Sequence, residues 1–100
     1  MVSLFALYRR PDDEAGFLEH YRTIHAPLAR GMPGLVSLDW GLSAEVSSHD
    51  DAPWFVVAEM RFVSREAALD ALRSSPGRAA ANDVRTFAAG LLTMRMVEWQ

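Results

Sequence analysis

The stretch YRRPDDEAGFLEHYRTIHAPLARGMPGL, residues 8–35, carries more structural information than any other part of this chain of 100 residues. Pro11 ends the strand before it, and Asp12 or Asp13 can cap the helix that follows. Apolar residues then recur at helical spacing and form one stripe, made of Phe17, Tyr21, Ile24 and Leu28. Gly31 and the Pro33-Gly34 turn lead into the next segment. The stretch therefore predicts a strand end, an amphipathic helix and a tight exit.

Two histidines flank the apolar stripe of this helix. On a regular helix His20 and His25 lie about 140° apart, whereas helical histidines that share one metal ion are four residues apart. We therefore expect no metal site. Pro27 cannot donate to the carbonyl of Thr23, so the regular helix should kink or stop near His25 and Ala26. Two interpretations of His25 stay open: a partly buried residue that caps free carbonyls, or a ligand-contacting residue that transfers a proton near neutral pH.

The composition is that of an ordinary globular protein. Half of the residues are hydrophobic, 23% are charged, and the net charge is −3. We expect a single domain over residues 1–100, and the absence of a basic run argues against a nucleic-acid partner. There is no cysteine, so disulfides, thiol nucleophiles and Cys-based metal sites are excluded. No apolar run approaches the length of a membrane span, and we expect a cytoplasmic protein without a membrane partner.

The remaining segments predict an α+β fold. Strands are predicted at Val2–Tyr8, Leu35–Leu42, Trp54–Val63 and Leu91–Trp99. One further helix follows Ser64 as its cap, and another has Ser75 as cap and Pro76 at its first position. His49 lies in a polar loop and is interpreted as plain surface. The order β-α-β-β-α-β is that of the ferredoxin-like fold, a four-stranded antiparallel sheet with helices on one face.

The other face of that sheet needs a cover. It would carry several large apolar side chains, each of which gains roughly 1.5–3 kcal/mol on burial. An exposed patch of this kind is typical of an interface, so we expect a homodimer in which two sheets meet face to face. The charged strand residues would lie at the rim or pair across it: Asp39, Glu59, Arg61 and Arg95.

The chain resembles the EthD family of the dimeric α+β barrel superfamily. Three segments carry the resemblance: LYRRP at residues 7–11 with Phe17, HYRTIHAPL at residues 20–28 followed by MPGL at 32–35, and SPG at 75–77 with FAAG at 87–90. They follow the family's order along nearly the whole chain. In one departure, Val84, Arg85 and Thr86 stand where similar proteins often have a proline.

The resemblance implies the dimeric α+β barrel and a cavity between the sheet and the helices of each subunit. Relatives in the superfamily include polyketide cyclases, lactone isomerases and cofactor-independent monooxygenases. By this resemblance we expect a small hydrophobic or aromatic ligand, with His25 transferring a proton and Tyr21 or Tyr8 donating a hydrogen bond to a developing enolate. The other residues expected to line the cavity are Phe17, Ile24, Leu28, Trp40, Trp54, Met60 and Phe87.

Three alternatives are weighed against that hypothesis. The first is a non-catalytic binding or accessory protein of an oxidative degradation pathway, which would need the same cavity. The second is a haem protein with His25 or His20 as ligand, but no second haem-specific feature is visible. The third is an oxidoreductase that holds a dinucleotide, and the GxGxxG motif is not present. We therefore expect no bound cofactor.

Overall fold

The computed structural model describes residues 1–46 and 54–100. The predicted surface residue His49 lies outside the described residues. The elements, in chain order, are β1 (Val2–Arg9), α1 (Glu14–His20), a π-helical turn (Tyr21–His25), α2 (Ala26–Arg30), β2 (Ser37–Leu42), β3 (Trp54–Phe62), α3 (Arg65–Arg73), α4 (Ser75–Phe87) and β4 (Leu92–Glu98).

The four strands form one antiparallel sheet in the order β2-β3-β1-β4. The register places Leu4 of β1 opposite Met60 of β3 on one side and Met96 of β4 on the other. Directly opposed residues point to the same face, so alternate residues of the two central strands form a continuous apolar surface. The helices cover that face. The predicted α+β, ferredoxin-like arrangement is confirmed.

Side-chain caps begin α1, α3 and α4. Asp13 accepts a hydrogen bond from the backbone of Gly16 at the start of α1, and Ser64 accepts one from Ala67 at the start of α3. The cap of α4 is Ser74, whose hydroxyl accepts from the N–H of Gly77. The prediction of Ser75 as cap was wrong by one residue, because α3 ends so close to α4 that Ser74 serves both.

The first helix does not stop at His25 but continues through a wider turn. The N–H of Ala26 bonds to the carbonyl of Tyr21, five residues back, where a regular helix would bond four residues back. Pro27 then lies in the first turn of α2, a position where its missing N–H leaves no carbonyl of that helix without a donor. The expected disturbance is present at the expected place, but it widens the helix and does not end it.

A bulge in β3, where Phe55 has no partner in β1, changes which residues face the helices at one end of the sheet. The register between β1 and β3 shifts between Tyr8 and Arg9, and Arg9 pairs with Trp54. Phe55 consequently packs its ring edge-on against Phe17 of α1, with the ring centroids 5.8 Å apart. Phe55 therefore joins the core, and Trp54 lies with Arg9 on the face that the helices leave open.

The open face, which we call the helix-free face, carries a polar network at its centre. Glu59 accepts hydrogen bonds from the hydroxyl of Ser3 at 2.7 Å and from the guanidinium of Arg61 at 3.1 Å. The indole N–H of Trp99 donates to the same Ser3 hydroxyl at 2.8 Å. The Ser3 bond, with Arg61 beside it, lowers the pKa of Glu59. Two of the four predicted rim charges thus pair with each other along one strand.

Among the helices formed by residues 1–46 and 54–100, none has both the length and the apolar character that a bilayer crossing requires.

Candidate functional site

A cavity of about 380 Å³ lies between the sheet and the helices. Its walls come from β1, β3 and β4 below and from α2 and α4 above, and most lining side chains are aliphatic or methionine: Leu4, Ala6, Met32, Met60, Val84 and Met96 are examples. Of the described lining residues, only Tyr8, His25 and Arg95 have polar side chains. Arg95 is paired with Phe5 across the strands, which places its side chain on the helix-free face. The volume is in the range that small-molecule sites occupy.

His25 stands in the wall of this cavity and is 6% exposed. Its Nδ1 lies 3.0 Å from Oδ2 of Asp83, and its Nε2 lies 3.3 Å from the hydroxyl oxygen of Tyr8. An ionised carboxylate only accepts hydrogen bonds, so Nδ1 carries the proton and Nε2 accepts from the Tyr8 hydroxyl. The unprotonated nitrogen, Nε2, therefore faces Tyr8 on the side of the cavity, and the protonated nitrogen, Nδ1, faces Asp83.

Burial and Asp83 act on His25 in opposite directions. Burial lowers the pKa of His25, whereas the hydrogen bond and the negative charge of Asp83 raise it, and the nearby His20 lowers it; the net pKa lies below the ordinary value. The neutral imidazole is the form that can accept a proton near neutral pH. Burial also raises the pKa of the Tyr8 hydroxyl well above its usual range, so Tyr8 remains a hydrogen-bond donor.

Asp83 is shared by both histidines of the first helix. His20 Nε2 lies 2.8 Å from Oδ1 and 3.0 Å from Oδ2 of the Asp83 carboxylate. The expectation that the two histidines diverge by about 140° was wrong, because it assumed a regular helix. The π-helical turn adds one residue to the turn between them and brings both rings to the same carboxylate. Within residues 1–46 and 54–100, no three His, Asp or Glu side chains are grouped so as to hold a metal ion.

An aromatic cluster holds these groups in place. The ring of Phe87 lies 5.0 Å from that of His25 and 4.4 Å from that of His20, measured between centroids. Tyr21 lies 5.2 Å from His25 by the same measure and 4.7 Å from Trp40. Burial raises the pKa of Tyr21 to about 12, against a smaller lowering by Arg30. Rings packed on several sides of His25 restrict its rotation, so its two nitrogens keep their separate partners.

The structure brings some of the predicted site residues together and separates others. Tyr8, His25 and Met60 line the cavity. Phe17, Tyr21, Trp40 and Phe87 pack behind it in the aromatic cluster. Ile24 is 47% exposed, Leu28 is half-buried on the same helix, and Trp54 is on the helix-free face; none of these three contributes to the lining.

Asp83 is the residue that the sequence analysis missed. It stands between Ala80 and Val84, two cavity-lining residues of α4, and its side chain is 11% exposed. A carboxylate on the apolar face of an amphipathic helix is unusual unless a partner meets it. That pattern was visible in the sequence, but its partners are 58 and 63 residues away along the chain.

Comparison with known proteins places the chain in a family. The sequence pattern of the EthD domain matches residues 9–90. The chain belongs to the EthD domain family. A curated relative, the uncharacterized 11.0 kDa protein of the thcB-thcC intergenic region of Rhodococcus erythropolis, is 32% identical over 94 residues, which is 94% of this chain and 90% of the relative.

Solved structures agree with this EthD assignment. The crystal structure of an ethyl tert-butyl ether d (EthD) family protein from Bacillus halodurans superposes with a TM-score of 0.90 at 35% identity, covering 100% of this chain and 99% of the other. Two more distant structures share the fold alone. A dimeric ferredoxin-like protein of unknown function from Thermobifida fusca has a TM-score of 0.73 at 14% identity, covering 98% and 90%. SnoaB, a cofactor-independent oxygenase from Streptomyces nogalater, has a TM-score of 0.70 at 15% identity, covering 99% and 92%.

Proposed function

We propose that this EthD protein binds a small apolar or aromatic carbonyl compound in the cavity and that His25 moves a proton on the carbon next to the carbonyl. One observation carries the proposal: a buried histidine in an apolar wall has a carboxylate on Nδ1 and a tyrosine hydroxyl on Nε2. This is the arrangement of an oriented base beside a hydrogen-bond donor.

The proposed step is a proton transfer within the protein–ligand complex. Nε2 of His25 takes a proton from the carbon next to the carbonyl, and the electron pair of that C–H bond moves to the carbonyl oxygen to form an enolate. Asp83 stabilises the imidazolium through Nδ1–H. The imidazolium then returns the proton to the same carbon, to another carbon or to the oxygen, which gives exchange, isomerisation or the first step of a cyclisation.

Tyr8 suits the role of donor to the enolate oxygen better than Tyr21 does. The Tyr8 hydroxyl is already 3.3 Å from Nε2 and lines the cavity, so a ligand oxygen bound beside it can accept the same hydrogen. Tyr21 contacts His25 through its ring and packs behind it. We therefore assign the donor to Tyr8 and a supporting position to Tyr21.

The test uses an apolar aromatic ketone, 2-tetralone, as probe. Proton NMR in D₂O follows deuterium uptake at the carbons next to its carbonyl, and ligand-observed NMR measures binding separately. We expect the wild-type protein to accelerate uptake and His25→Gln to reduce that rate by roughly 10²–10⁴-fold, the usual contribution of a positioned base. The matched control is Thr23→Ala, in the same turn, because the Thr23 hydroxyl bonds only to the Glu19 carbonyl among described contacts.

A second function is favoured by the satisfied state of the cavity. Tyr8 and His25 hydrogen-bond to each other, so neither needs a ligand, and the rest of the described lining is apolar apart from Arg95. Such a cavity suits a carrier or accessory protein that holds a hydrophobic molecule without reaction. The NMR experiment separates the two: probe binding with equal deuterium uptake in wild type and His25→Gln would support the carrier and reject the base.

We also propose that two chains form a homodimer through the helix-free face. Half-buried apolar side chains lie there, Phe5, Leu7, Val57 and Val97 among them. The structurally similar Thermobifida fusca protein is described as dimeric. A cytoplasmic location, which the cysteine-free sequence favours, is likewise a proposal.

A further inference from the structure

His20 belongs to the hydrogen-bond network of the site without touching the cavity. It is outside the lining of the cavity described above and instead contributes to a separate outer pocket with Arg10, Asp12 and Phe87. Its side chain is 23% exposed. Yet its Nε2 contacts both oxygens of the carboxylate that His25 uses. A role for His20 in the site therefore has to act through Asp83.

We propose that His20 is a positioning residue for His25: it holds the Asp83 carboxylate at the place where it accepts the hydrogen bond from Nδ1–H of His25. The relevance of this arrangement to chemistry rests on the proposed function. The positioning itself does not depend on the proposed function, because the orientation and the proton position of His25 can be measured without turnover.

The contacts explain how His20 fixes the carboxylate. Oδ2 of Asp83 accepts from both imidazoles at 3.0 Å, while Oδ1 accepts from His20 at 2.8 Å. The His20 ring is stacked on Phe87 with an interplanar angle of 21°. Phe87 also packs against His25, so one ring braces both histidines. Without His20, Asp83 would keep one partner and could rotate about its side-chain torsions.

The same geometry excludes a proton wire between the two histidines. Each imidazole donates an N–H to Asp83, so a proton that left His25 through Nδ1 would find a donor and no acceptor at His20 Nε2. Asp83 therefore serves both histidines as a shared negative charge and not as a carrier of protons.

Other titratable groups near the pair are accounted for. Tyr8 of β1 and Tyr21 of the same helix face His25, and burial keeps both protonated by raising the pKa of each hydroxyl. Arg10, Asp12 and Asp13 surround the outer pocket beside His20. These groups act on His20 from the solvent side and are not altered by the variants below.

The test replaces His20 with Phe or with Gln and reads His25 by NMR. His20→Phe keeps a ring on Phe87 but removes the donor to Asp83, and His20→Gln keeps an N–H donor. In ¹⁵N-labelled wild-type protein, the long-range ¹H–¹⁵N spectrum should show His25 in the Nδ1–H form. His20→Phe should shift its two nitrogen signals toward a tautomer average, and His20→Gln should restore the wild-type pattern at least in part.

Asp83→Asn serves as the reference for a lost carboxylate, and far-UV circular dichroism verifies the fold of each variant. The proposal is overturned if His20→Phe leaves the Nδ1–H tautomer of His25 as in wild type while Asp83→Asn changes it. A failure of the proposed catalysis has a different signature, since deuterium uptake would then be absent in wild type whatever the NMR pattern of His25.

Discussion

The lowered pKa of His25 makes the stability of the fold depend on pH in a specific direction. In the unfolded chain His25 titrates near its ordinary value of 6.5, and burial lowers its pKa in the folded protein. Below pH 6.5 the unfolded state therefore binds a proton that the folded state does not. The free energy of unfolding should fall with pH from there down to the folded pKa, by about 1.4 kcal/mol per pH unit for this one proton.

The perturbation that isolates this effect is His25→Gln. At pH 7.5 the variant loses the hydrogen bonds to Asp83 and Tyr8, at 3.0 and 3.3 Å, each worth about 0.5–1.5 kcal/mol net. It should then be less stable than wild type by roughly 1–3 kcal/mol. As the pH falls below 6.5, wild type should lose the stability linked to His25 and the variant should not. The difference in the free energy of unfolding between the two proteins should therefore become smaller.

Urea unfolding followed by tryptophan fluorescence measures this gap at pH 7.5, 6.5, 5.5 and 4.5. The protein concentration is kept the same throughout, because a dimer makes apparent stability depend on it. Carboxylates such as Glu59 titrate equally in both proteins and cancel in the difference. A gap that stays constant, or that widens in acid, would refute the reasoning: widening would mean that Asp83 holds His25 as an imidazolium in spite of burial.

Three further predictions concern the cavity, the helix-free face and the helix junction. Ala81→Leu, which adds an apolar side chain at the cavity wall, should weaken 2-tetralone binding at least tenfold with little loss of stability; unchanged NMR titration would place the ligand elsewhere. Phe5→Glu, on the helix-free face, should give the mass of a single 11.1 kDa chain by light scattering; a mass of two chains would reject that interface. Gly77→Ala should cost more than ~1 kcal/mol in urea unfolding, because its Cβ would overlap the carbonyl oxygen of Ala71; a smaller loss would mean that the junction moves easily.

Local sequence patterns were sufficient for the layout of the sheet and the placement of most helices. Alternation predicted strands at Leu35–Leu42 and Trp54–Val63, and β2 and β3 run over Ser37–Leu42 and Trp54–Phe62. Trp54 was expected at the cavity and lies on the helix-free face, because the extra residue Phe55 in β3 shifts the register against β1 between Tyr8 and Arg9. Such a shift depends on pairing between strands and leaves no period in either strand alone.

The candidate site was predictable in part. His25 came from its place beside the helix stripe, and Tyr8 came from the resemblance to the EthD family; both line the cavity. Asp83 did not, because its two partners lie far away along the chain. The shared position of the histidines could not be derived either, since a periodicity of 3.6 residues excludes it and only the π-helical hydrogen bond from Ala26 to Tyr21 permits it.

That wide turn has a consequence for how relatives are compared. The meeting of His20 and His25 depends on how the backbone between them is hydrogen-bonded, not on how many residues separate them. In a homologue whose segment between the two histidines is an ordinary α-helix, both histidines would still align in sequence. They would not share one carboxylate. Conservation of the pair in sequence is therefore weak grounds for transferring the arrangement, and the coil of the main chain at residues 21–25 is the feature to inspect first.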